Sequence, residues 1–179
     1  QGWRLKRHAV EAFWRWLASW AVFVRKPSDL NYDDGDFVLP PISISDAVVN
    51  TDWRPEGQLF ADSSKGGISG RINARRNSIA ERVRKAIELV KWKETPVLIW
   101  CGMNDESATM AKALGDDCVS VAGKDSEAVK TERIAAFIEG RARVLVTKPR
   151  IAGFGLNLQR CHRMIFLGLG DSYETYYQA

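Results

Sequence analysis

Four short segments of the chain hold residue types that bind phosphate: Cys101-Gly102-Met103-Asn104, Ala122-Gly123-Lys124, Thr147-Lys148-Pro149-Arg150 and Gly168-Leu169-Gly170-Asp171. Glycine lets an anion approach backbone N–H groups, small polar side chains add donors, and lysine or arginine adds charge. Any one of these segments alone is an ordinary turn. What groups them is position: each follows a short apolar run, and open parallel sheets bind ligands beyond the carboxyl ends of their strands. Other chemistries find no residues. No G-x-x-x-x-G-K run ending in Ser or Thr is present, and Gly66 to Gly70 lacks the Lys-Ser/Thr pair of a phosphate loop. Gly153-Phe154-Gly155 lacks the third glycine of a dinucleotide fingerprint. His8 and His162 have no Ser or Cys elbow partner and are too scattered for a metal centre. Cys101, Cys118 and Cys161 show no C-x-x-C spacing, so neither a zinc site nor a disulfide framework is expected, and a reducing compartment fits. The expectation is a binding edge with no catalytic residue and no metal of its own.

The elements that must position this edge are readable after Pro96. Val97 to Cys101 is a continuous apolar run typical of a buried parallel strand. Asn104 to Leu114 reads as a helix with Asn104 as its N-cap. Cys118 to Ala122 reads as a strand, Asp125 to Glu139 as a helix stopped by Gly140, Val144 to Thr147 as a strand, and Met164 to Leu167 as another. Asp171 or Ser172 caps a last helix, and Asp171 with Glu174 has capping-box spacing. Strand alternating with helix gives an α/β fold with a parallel sheet and right-handed crossovers.

The amino-terminal half is less regular. Phe13, Leu17, Trp20, Ala21 and Val24 recur at helical spacing, which predicts a helix from Arg7 to Lys26 ended by Pro27. Phe37 to Leu39 and Ala47 to Val49 are candidate edge strands in an acidic stretch. Ser63 to Gly70 has a linker composition, and residues 71–93 form a second helix with Ile72, Ile79, Val83, Ala86, Ile87 and Val90 on one face. The expected organisation is a helical and irregular insertion over 1–62, a linker over 63–70 and the α/β domain over 71–179.

The 179 residues carry 26 Lys and Arg against 22 Asp and Glu, with 45% hydrophobic residues, which is a globular composition and excludes wholesale disorder. No apolar stretch approaches the ~20 residues that span a bilayer, so no membrane is expected as a partner. Charge is arranged in blocks. Residues 1–26 hold six bases and one acid, 27–57 one base and seven acids, and 62–93 nine bases and three acids. Two basic blocks around an acidic one point to a polyanionic partner, or to solvated helix faces.

In this order the segments resemble a known family. Val97-Leu98-Ile99-Trp100-Cys101 with Asn104 resembles the strand and loop that open the second RecA-like lobe of superfamily-two helicases. Gly123, then Arg133, Ile134, Phe137 and Gly140, is similar to a glycine-arginine block of the Swi/Snf-like branch. Val144 to Thr147 followed by Gly153-Phe154-Gly155-Leu156-Asn157-Leu158-Gln159 resembles that branch's "vLvT…GxGLNLq" block. Tyr177-Gln178-Ala179 matches the "QA" that precedes the arginine motif R-x-x-R-x-G-Q. The resemblance covers roughly residues 95–179. Where chromatin remodellers carry Thr-Arg-Ala-Gly and Asp-Trp-Asn-Pro, this chain has Lys148-Pro149-Arg150-Ile151-Ala152 and Asp171-Ser172-Tyr173-Glu174. A bacterial or phage type is therefore implied.

The resemblance implies a RecA-like parallel sheet flanked by helices, with the Trp-rich helical region as an insertion between lobes. It implies the carboxyl-terminal lobe of an ATP-dependent helicase or translocase acting on double-stranded DNA, truncated before the arginine fingers. By position, Asn104, Gly123, Thr147, Lys148 and Arg150 would face the DNA backbone, the Thr147 hydroxyl donating to a phosphate. Gly153, Gly155, Asn157 and Gln178 would face the nucleotide between the lobes. Lys148, Arg150, Arg160 and Arg163 would add cations near these loops. ATP and Mg2+ would belong to the full-length protein and not to this segment alone. Arginine fingers contribute on the order of 10³-fold or more to phosphoryl transfer, so the segment without them and without the first lobe is expected to be inactive. The location implied is cytoplasmic, or nucleoid-associated in a bacterium. Trp14, Trp16, Arg15, Arg25, Arg75, Arg76 and Arg82 are either packing residues or DNA contacts. Two other readings stay open: a stand-alone Rossmann-like nucleotide-binding protein, and a non-enzymatic DNA-binding module built on the basic Trp helix.

Overall fold

The computed structural model describes residues 5–22, 24, 26–35, 38, 40–51, 67–153, 155–170 and 172–179. The chain divides into two compact units, Gln1–Asp46 and Ala47–Ala179.

In the first unit a 3-10 turn at Arg7–Ala9 leads into helix α1, Val10–Ala18. The helix ends eight residues short of Lys26. The Ser19 hydroxyl donates to Trp16 O at 2.7 Å, a local bond that competes with the helical ladder. Trp14 and Trp16 are each 58% exposed and Trp20 63%, with Trp16 and Trp20 edge-to-face at 5.2 Å. A second 3-10 turn, Pro27–Leu30, is closed by Asp34, which accepts from Ser28 N at 2.8 Å and pairs with Lys26. The Ser28 N–H holds the Asp34 carboxyl below its usual range. Phe37 and Leu39, expected at an edge strand, lie outside the described residues.

The second unit holds the sheet. Ala47–Val49, also expected as an edge strand, forms no strand. The expected linker is described from Gly67, and from there it is already helical: α2 spans Gly67–Asn77 and α3 spans Ile79–Lys91. The single helix expected over 71–93 is therefore two. The break falls at Ser78, whose hydroxyl donates to Ala74 O at 2.8 Å and accepts from Arg82 Nε at 3.1 Å. α3 turns Val83, Ala86 and Val90 inward at the spacing of one helical face.

Four parallel strands follow: β1, Val97–Trp100; β2, Cys118–Ser120; β3, Val144–Thr147; β4, Met164–Phe166. Their order across the sheet is β2-β3-β1-β4. Leu98 pairs with Leu145 on one side and Met164 on the other. β1 and β3 are buried along their whole length, which is why they read as unbroken apolar runs. Helix α4, Asn104–Leu114, follows β1; α5, Glu127–Ile138, follows β2; α6, Pro149–Ala152, follows β3; α7, Tyr173–Gln178, follows β4.

Alternation splits the core into two layers. Val97, Ile99, Cys101, Val144 and Val146 face α3 and Met110 of α4. Leu98, Trp100 and Leu145 face Phe137 of α5, Ala152 of α6 and the half-buried Phe166. Full burial of each Val, Leu, Ile, Met or Phe among them contributes roughly 1.5–3 kcal/mol. The crossover β1–α4–β2 runs one way along the sheet. The crossovers β2–α5–β3 and β3–α6–β4 run the other way and place their helices on the opposite face, so all three share one hand. Among the described residues no helix is long and apolar enough to cross a membrane.

Candidate functional site

Strand β1 alone sends its helix to the α3 face. Its neighbours β3 and β4 send α6 and α7 to the other. The chain therefore parts on both sides of the β1 carboxyl end, and such a parting is where open α/β sheets bind ligands.

On the β3 side the parting is open. Asn104, exposed in the first turn of α4, accepts from Lys148 Nζ at 2.6 Å through Oδ1. The pair bridges the loops after β1 and β3 and holds the ammonium at the sheet edge. A cleft of about 640 Å³ adjoins it, lined by Asn104, Ser107, Ser120, Gly123, Lys124 and Arg133 among others. Its far wall is the loop after β2. Arg133 Nη1 donates to Ser120 O at 2.6 Å and to Asp125 Oδ2 at 3.0 Å, and the same oxygen accepts from Ala122 N at 2.8 Å. This bracing leaves Gly123 and Lys124 exposed at the tip, with nothing within 4 Å of where a Gly123 Cβ would be. The cleft presents Lys124, the Asn104 amide with Lys148 bonded to it, and exposed backbone, with the carboxylates of Asp105 and Asp125 also on its lining.

The Thr147 hydroxyl does not join this set. Thr147 is fully buried, and its Oγ1 donates to Val121 O at 3.1 Å, tying β3 to the end of β2. A β-branched residue at the end of a central strand packs inward, so its contribution here is to the strand end and not to an exposed hydroxyl. The N-cap also shifts by one: Met103 is the cap of α4 and Asn104 its first residue, which frees the Asn104 amide for Lys148.

On the β4 side the parting is filled. Glu106, with no exposed surface, sits at the third position of α4. Its Oε2 accepts from Gly102 N at 2.7 Å and Met103 N at 2.9 Å, and its Oε1 from Arg82 Nη1 at 2.6 Å. Arg82 also reaches Leu167 O and Arg75 O, while Arg75 donates to Leu169 O. Gly168 lies so close to the Glu106 carboxylate that a Cβ would overlap it. Arg82, left open between packing and DNA contact, is thus an internal residue. A glutamate three positions into a helix that follows a strand is a visible capping signal. Its arginine partner, on another helix, is not visible in the spacing.

The residues expected at the nucleotide are less gathered. Gly153 ends α6, which packs on α7, and Gln178 is exposed at the end of α7. Gly155 has φ 71°, which favours glycine. Asn157 Oδ1 accepts from Gln159 N at 3.3 Å and lines a separate recess of about 180 Å³ with Phe137, Ile138 and Arg160. Arg150 is exposed on α6. Arg163 lies at the opposite edge of the sheet from the site: its guanidinium donates to Leu89 O at 2.8 Å and Thr95 Oγ1 at 3.0 Å beside the start of β1. Arg160 lies against Gly140, just before β3. Phe154 and Asp171 are outside the described residues, and the observed cap of α7 is Ser172, whose Oγ accepts from Thr175 N at 3.2 Å.

Cys101, at the β1 carboxyl end, is buried; burial first and Glu106 second push its thiol up to about 12, so it stays protonated and inert at neutral pH.

The model of one family, the helicase conserved C-terminal domain, matches residues 80–179, from α3 through the site to the end of α7. The chain belongs to that family. The four-stranded parallel sheet with helices on both faces is the RecA-like architecture of this domain. Similar solved structures include the C-terminal part of the Fun30 ATPase domain, at 18% identity and a TM-score of 0.47, covering 55% of this chain and 34% of that one. They also include the Pyrococcus furiosus Hef helicase domain, at 16% identity and a TM-score of 0.45, covering 64% of this chain and 26% of that one. The chain thus spans about a third of the first structure and about a quarter of the second. No curated protein matches it.

Proposed function

We propose that the chain is the second RecA-like lobe of an ATP-dependent helicase or translocase of the Swi/Snf-like branch, bacterial or phage type, that tracks double-stranded DNA. The observation that carries this reading is the open parting beside β1, where Asn104, bonded to Lys148, lines one cleft together with the braced Gly123-Lys124 loop. Fixed cations and exposed backbone at a sheet edge suit a phosphate backbone, and such contacts position the duplex without reading its sequence. In this reading Asn104, Gly123, Lys148 and Arg150 meet the backbone. Thr147 shapes the strand end beneath them. Gly153, Gly155, Asn157 and Gln178 lie toward the interlobe site, where the complete protein binds ATP and Mg2+ with a first lobe. The complete protein would work in the cytoplasm, or on the nucleoid of a bacterium.

The test is a pair of titrations of this chain. A fluorescein-labelled DNA duplex should bind with an affinity that falls steeply with salt, and ATP should not bind tightly in the absence of the first lobe. Tight ATP binding with no duplex binding would favour a stand-alone Rossmann-like nucleotide-binding protein instead.

A further inference from the structure

We propose that Glu106 and Arg82 form a positioning pair that locks the loop after β1 to the turn after β4, and so sets the phosphate-facing Asn104–Lys148 pair relative to α7. The functional half of this inference rests on the reading of the site given above; the structural half does not.

A carboxylate with no exposed surface must be matched by charge and by hydrogen bonds. Glu106 has both: the Arg82 guanidinium at 2.6 Å and two backbone N–H groups at 2.7 and 2.9 Å. Those N–H groups belong to Gly102 and Met103, immediately before Asn104. The carboxylate therefore dictates the path of the chain into α4 and the place from which the Asn104 amide reaches Lys148. The same guanidinium donates to Leu167 O, at the start of the turn that leads to α7, and to Arg75 O. Its Nε donates to Ser78 Oγ at the break between α2 and α3. Gly168 completes the lock, since only a residue without Cβ leaves room for the carboxylate.

One side chain thus holds four partners on three stretches of chain. A planar guanidinium reaches them through its fixed fork of donors, which a lysine ammonium on a flexible stem cannot do. The pair plays no part in touching a ligand. Its effect on one would pass through Asn104 and Lys148.

The experiment compares the 179-residue chain with its Arg82→Lys and Glu106→Gln variants by residue-resolved amide hydrogen exchange, with circular dichroism as the check on folding. Arg82→Lys keeps a cation beside Glu106 and should leave the fold intact. It should raise exchange at Leu167, whose N–H donates to Trp100 O at 2.9 Å, by roughly tenfold or more while Gly102 and Met103 stay protected. Glu106→Gln should raise exchange at Gly102 and Met103 as well. If Glu106→Gln fails to fold, Arg82→Lys alone decides the structural half. Unchanged exchange in a folded Arg82→Lys variant overturns the proposal. For the functional half, a fluorescein-labelled duplex is titrated in parallel, with Lys148→Ala as the reference. Weakened binding by both Arg82→Lys and Lys148→Ala supports positioning of the site. Loosened exchange with unchanged binding, while Lys148→Ala weakens it, overturns the functional half. No effect of Lys148→Ala on binding overturns the reading of the site itself, and the exchange data then decide the lock separately.

Discussion

The two flanks of β1 begin from the same topology and end as opposites. Toward β4 the parting is filled by Glu106, Arg82 and the carbonyls they gather, with a side chain that no solvent reaches. Toward β3 it is left open, and its polar groups, Asn104 and Lys148, meet at an edge that solvent and ligand can reach. The difference lies in what a buried charge demands. A sealed carboxylate must have its acceptors satisfied internally, as Glu106 does through Arg82 and two backbone N–H groups. An exposed pair is weak in stability terms and free to exchange its partner for a phosphate. In the proposed reading, function lies on the open flank and not on the sealed one.

The contrast can be broken most severely at the sealed flank. Glu106→Ala leaves Arg82 and two N–H groups without their acceptor, and should cost about 3–5 kcal/mol, read as a shift of the urea midpoint at constant slope. A cost within experimental error would show that the flank is not sealed. Gly168→Ala should approach the same loss by driving a Cβ into the carboxylate.

A smaller effect sharpens the boundary between the flanks. Thr147→Val keeps the shape of the buried side chain but removes the donor to Val121 O. It should cost about 1–3 kcal/mol of stability and leave duplex affinity unchanged. Weakened duplex binding by the folded variant would return the hydroxyl to the phosphate-facing set.

The effect of pH through Cys101 is confined to the alkaline range. Its thiol is pushed up to about 12 in the folded chain, mainly by burial, from an ordinary value of 9.0. The folded state keeps the proton that the unfolded state releases first, so the contribution of this group to stability is full below about pH 9 and declines as pH rises toward about 12. Iodoacetamide should accordingly label Cys101 only on global unfolding; rapid labelling of the native chain at pH 8 would contradict its burial.

Much of this arrangement was legible in the residues. The helix expected over Asn104 to Leu114 is α4, and the strands follow from their short apolar runs, which in β1 and β3 reflect burial on both faces. The open flank was also legible, since Asn104, Gly123 and Lys148 follow strand ends. What escaped depended on partners distant in the chain. Arg82 looks like any cation on a helix until Glu106, 24 residues later, is seen beneath it. Thr147 looks like a hydroxyl at a strand end until the neighbouring strand supplies Val121 O. The division of α2 from α3 rests on one serine bonding back to its own helix, and α1 ends early for the same reason at Ser19. Such local competition has no apolar periodicity to announce it.

The central claim is that the open flank of β1 grips a phosphate backbone. The most direct measurement is the salt dependence of duplex binding by the chain and by its Lys148→Ala variant, between about 50 and 200 mM salt. Lys148 is half-buried and its ammonium bonds the exposed Asn104, so the comparison is made with both proteins shown to be folded, where a change in binding reads the contact itself. The account predicts weaker binding, uniform across duplex sequences, with a log–log salt slope smaller by about one. Superimposable titrations of the two proteins would contradict it.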